Sequence, residues 1–103
     1  MSWEEARNRE LAHWSAIRDA IGVAAPVELL TEINAADALC EKARKEAGSP
    51  IDYCTRCLLY QQVGGCRETS ARMSERVAAR DWTGLRAMVD ELVAHLHALP
   101  VPC

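Results

Sequence analysis

A chain of 103 residues, half of them hydrophobic and 26% charged, has room for one domain and too much apolar content for a disordered chain of modest charge. A net charge of −3 argues against the whole molecule acting as a magnet for nucleic acid. No uninterrupted apolar run approaches the ~18 residues of a membrane helix, and the opening Met1-Ser2-Trp3-Glu4-Glu5 lacks the apolar segment of a secretory signal, so a cytoplasmic protein is expected.

Strand signals are sparse. Phe is absent, β-branched runs are few, and neither Asn-Gly nor Asp-Gly occurs. Helical signals recur along the whole chain. Ser2 and Glu5 have capping-box spacing, which predicts a first helix from Trp3. Trp3, Trp14, Ile17 and Ile21 share one face of it. Gly22 and Pro26 bracket its end, and Pro26 suits the first turn of a second helix. The second helix carries Leu29, Ile33, Ala36, Cys40, Ala43 and Ala47 in steps of four and three, the seam of a helix packed on another, and Gly48-Ser49-Pro50 stops it. That seam puts Cys40 on an inner face.

Ser49 and Pro50 open a third predicted helix, with Ile51, Cys54, Leu58 and Gln61 on one side and Cys57 beside Leu58. Val63-Gly64-Gly65 breaks it. A fourth helix is expected from about Cys66 to Arg80, with Cys66, Ser70, Met73 and Val77 inward. Asp81 ends it and caps a fifth, in which Leu85, Met88, Val89, Leu92, Leu96 and Leu99 face inward before Pro100. The expected fold is all-α, a small antiparallel bundle of four or five helices spanning residues 1–99, with a short tail at 100–103.

Five cysteines stand out, four of them within residues 40–66: Cys40, Cys54, Cys57 and Cys66. In a reducing compartment such grouping points to metal before disulfides. The turn at Gly48-Ser49 gives a geometric argument. Cys40 and Cys57 lie equally far from it, so an antiparallel hairpin brings them to one height, with Cys54 one turn nearer the loop. One tight pair and two outliers suit an iron–sulfur cluster slightly better than zinc, which more often takes two tight pairs. A continuous third helix would carry Cys57 ~7 Å from the turn that holds Cys66. Either that helix is short, or His13 replaces Cys66 as fourth ligand. A thiol–disulfide switch and plain packing of four small apolar side chains remain open.

Other motifs carry less. Glu10-Leu11-Ala12-His13 matches the Glu-Xaa-Xaa-His of di-iron bundles, but those need two copies. Its plainer reading is a surface Glu with a His at the core edge. Arg72, Arg76 and Arg80 form a stripe that reads best as a solvated helix face, so no nucleic-acid partner is expected. His95 and His97 suit a helix C-terminus. No phosphate loop and no catalytic set are present. The reading that results is a metal- or cluster-binding accessory or redox-sensing protein, more a binder than an enzyme. Its alternative is a cofactor-free helical interaction module with buried cysteines. Either way a protein partner or homodimer is expected to cover leftover apolar surface.

Overall fold

A computed structural model describes residues 2–35, 38–47 and 66–99. Every regular element among them is a helix: α1 (Trp3–Ala20), α2 (Pro26–Ile33), α3 (Ala38–Ala47), α4 (Cys66–Ala78) and α5 (Trp82–Ala98). The predicted helix after Ser49 and the tail at 100–103 lie outside the described residues. No described helix is long and apolar enough to cross a membrane.

Local signals set most boundaries. Ser2 is the N-cap of α1, its Oγ accepting from Glu5 N at 3.1 Å while its carbonyl accepts from Ala6 N. Gly22 takes φ +84°, a left-handed conformation that lets the chain turn out of α1 with little strain. Pro26 then opens α2, where its missing N–H costs nothing.

The expected continuous helix from Pro26 to Gly48 is two helices. α2 ends at Ile33, and Asn34 leaves helical geometry with φ −94° and ψ 3°. The Asn34 side chain supplies the reason. Its Nδ2 donates to Leu30 O at 2.8 Å and to Ser74 Oγ on α4 at 3.3 Å, a capping arrangement that competes with helix continuation. On α3, Leu39 and Ala43 are both fully buried; Ala43 lies on the seam expected from the sequence and Leu39 does not, while the side chain of Cys40 lies outside the described residues.

The turn between α4 and α5 is closed by a Schellman motif. Arg80 N donates to Val77 O at 3.1 Å and Asp81 N to Arg76 O at 2.9 Å. Arg80 adopts φ +58° at the position usually held by glycine. The hydrophobic contact that often accompanies this motif is here an ion pair, Arg76 Nη1 to Asp81 Oδ2 at 2.7 Å. Asp81 also caps α5, accepting from Gly84 N at 2.9 Å.

The five helices share one core. α1 packs on α5, α3 and α2, and α4 packs on α2 and α5. Trp14 and Ile17 of α1 and Ile21 at its C-cap join Leu85, Val89, Leu92 and Leu96 of α5, with Leu29, Ile33, Met73 and Val77 from the other helices. Each such side chain contributes roughly 1.5–3 kcal/mol on burial, so α5, with the longest buried line, makes the largest apolar contribution. Trp3, Trp82 and Met88 are only partly buried at the core's edge. The exposed Arg18–Asp90 pair, at 3.1 Å, adds a screened link between α1 and α5.

Candidate functional site

The four clustered cysteines are placed to different degrees. Cys40 belongs to the first turn of α3 and Cys66 is the first residue of α4, with both side chains outside the described residues. Cys54, Cys57 and the terminal Cys103 lie outside them entirely. Among the described residues no three His, Cys, Asp or Glu side chains are grouped to hold a metal ion.

α3, the helix that bears Cys40, is anchored to α1. Leu39 and Ala43 bury against the core, and Lys42 Nζ lies 5.7 Å from the centre of the Trp3 ring, a cation–π contact across the two helices. The third anchor is Glu10. This carboxylate is only 1% exposed, the sole buried charged residue among those described. Its Oε2 accepts from Trp14 Nε1 at 3.0 Å, and its Oε1 lies 3.4 Å from the amide N of Leu39, in the first turn of α3. A buried carboxylate is tolerated only when hydrogen-bonded, and acidic charge at a helix N-terminus is favoured by the helix dipole.

The sequence reading placed Glu10 on the surface, and the structure corrects this. The signal was present as spacing. Ala6, Glu10, Trp14, Ile17 and Ile21 step by four, four, three and four, so Glu10 fills a core position in an otherwise apolar line.

The Glu-Xaa-Xaa-His motif is divided between two neighbours. Glu10 serves α3, while His13 turns to α2. His13 Nε2 lies 3.0 Å from the backbone oxygen of Glu32 and its Nδ1 lies 3.8 Å from Glu32 Oε2. Because a carbonyl oxygen only accepts, Nε2 is the donor in that contact. The ring also meets Trp14 edge-on at 5.6 Å.

His13 marks one side of a groove between α1 and α2, with a volume of about 290 Å³. Buried Ile17 and Leu29 with half-buried Ala20 form its apolar floor, and exposed Glu28 and Glu32 stand at its edge. Val23 and Val27, 85% and 72% exposed, are the large hydrophobic side chains left most open among those described. Val23 immediately precedes Ala24, and Val27 immediately precedes Glu28, two residues of the same groove.

The remaining candidates take plain roles. Arg72, Arg76 and Arg80 are exposed, and Arg76 is held by Asp81. His95 and His97 are exposed near the end of α5, His95 Nε2 lying 3.8 Å from Glu91 Oε1. No family model matches this chain, and no curated protein or solved structure matches it.

Proposed function

We propose that the chain is a small cytoplasmic accessory protein that binds a metal ion or iron–sulfur cluster through clustered cysteines, within an antiparallel bundle of four or five helices. Cys40, Cys54 and Cys57 serve as ligands, and Cys66 or His13 completes the set. The observation that carries this reading is the concentration of four cysteines within residues 40–66, one of them on a helix anchored to α1 at Leu39 and Glu10. Cys66 is the better fourth ligand, because the His13 ring is held toward α2 by Glu32. Thiolate ligands make binding proton-linked, weakening as pH falls, and loss of the metal frees the segment it had fixed. No nucleic acid takes part.

The test is elemental analysis and an absorption spectrum of protein purified without oxygen. Iron and sulfide near stoichiometry, or zinc, lost together in Cys54→Ala and Cys57→Ala, is the expected outcome. Metal-free protein that remains folded would discard this reading in favour of a second one, an interaction module without cofactor. Exposed Val23 and Val27 beside the α1–α2 groove favour that second reading, since a partner chain would cover them. In it the cysteines are packing residues, and alanine at Cys54 or Cys57 costs on the order of 1 kcal/mol each.

A further inference from the structure

We propose that the corner formed by α1 and α2 docks a basic, amphipathic segment of another protein. One Arg or Lys side chain lays its aliphatic stem along Ile17, Ala20 and Leu29 and brings its charged head to Glu28 and Glu32. Neighbouring apolar residues of the same segment cover Val23 and Val27. This rests on the interaction reading above, in which the cysteines are packing residues, and gives the partner a chemistry.

Size, charge and exposure lead to one occupant. A volume of about 290 Å³ is at the small end of ligand pockets, which run roughly 300–1,000 Å³, so it suits one long side chain better than a whole cofactor. An apolar floor with charge at its edge matches side chains that bury a hydrocarbon stem and keep the charged end in water. Glu28 and Glu32 are one turn apart on α2, so both carboxylates rise on the same side of the groove. Arg18, in the last turn of α1, pairs with Asp90 on α5 and not with either glutamate, while Glu32 Oε2 has the His13 ring at 3.8 Å. The exposed valines are a separate observation on the same corner, and they call for an apolar partner surface beside the basic one.

Charge argues against the other occupants. A second copy docked groove to groove would bring four carboxylates, two Glu28 and two Glu32, into one small interface and supply no Arg or Lys from the groove lining. An anionic lipid surface would meet the same repulsion.

The probe is a fluorescent peptide of about 14 residues with Leu and Arg at helical amphipathic spacing, followed by anisotropy on the full chain. Saturable binding is expected, weakening as salt rises. Glu28→Gln with Glu32→Gln should weaken it about fivefold or more, the value of two exposed ion pairs. Val23→Ser with Val27→Ser should weaken it comparably. Glu75→Gln with Glu91→Gln removes equal charge from exposed sites on α4 and α5 and should leave binding within about twofold. No saturable binding, or equal losses in both pairs of charge variants, would overturn the proposal. Sedimentation separates it from the broader reading. If the wild type self-associates and the valine variant does not, a second copy covers the corner; the interaction module then survives and the basic partner does not.

Discussion

Two carboxylates in this molecule do the same chemical task in opposite surroundings. Glu10 meets the first turn of α3 and Asp81 caps the first turn of α5. Glu10 is buried and joins residues 29 apart in sequence, while Asp81 is at the surface and joins residues three apart. Asp81 has water as an alternative partner, and its bonds to Gly84 and Arg76 replace hydration at modest gain. Around Glu10 the indole and amide N–H groups have no such substitute, so losing the acceptor leaves buried donors unsatisfied. Burial, more than bond geometry, therefore ranks the two.

The largest expected effect tests that ranking. Glu10→Leu should destabilise the protein by about 3 kcal/mol in urea unfolding, by stranding the Trp14 indole and the Leu39 amide. Glu10→Gln retains an acceptor oxygen and should cost about 1 kcal/mol. Equal costs for the two variants would show that charge, and not acceptor capacity, is what α3 requires. Trp14 fluorescence should shift in Glu10→Leu and much less in Glu10→Gln.

At the other carboxylate, Arg80→Gly should stabilise by about 1 kcal/mol, because glycine carries no penalty at φ +58°. Thermal melts of the two proteins measure this directly. Gly84→Ala sets two effects against each other. Alanine improves helix propensity by about 1 kcal/mol, but its Cβ would collide with the Asp81 carboxylate. The expected result is a lower melting temperature, and the sign should reverse in an Asp81→Ala background, where the obstruction is gone.

The smallest effect is on acid stability. The Gly84 N–H, and then Arg76, hold the Asp81 carboxyl below its ordinary value of 3.8. A folded pKa below the unfolded one means that the contribution is complete above the unfolded value and is lost as pH falls through the folded value. An acid titration followed by circular dichroism should therefore show an Asp81-dependent loss only below about pH 4, absent in Asp81→Asn.

The same contrast explains what the sequence could reveal. Ser2, Pro26 and Asp81 are readable because capping couples residues two or three apart. The α5 face is readable because it follows helical period without interruption. The division between α2 and α3 is obscured because the four-and-three steps run straight across it, and Asn34 acts partly through Ser74, 40 residues away. Glu10 is obscured because carboxylates are rarely interior, and its partner on α3 is 29 residues away. For the candidate site, spacing alone shows that cysteines cluster. The His13–Glu32 contact and the groove beside it depend on how α1 and α2 meet, which no local pattern encodes.

The interruption at Asn34 also bears on how the molecule assembles. It leaves α2 with eight residues and α3 with ten, both shorter than the roughly 12–15 at which an isolated helix is even marginal in water. Neither persists without its neighbours. Their amide protons should then exchange together with loss of the Leu29, Ile33 and Leu39 anchors, while α1 and α5, with 18 and 17 residues, retain residual helicity as the chain opens. One capping asparagine thus makes α2 and α3 dependent on the helices they join, ordered by that frame more than by their own length.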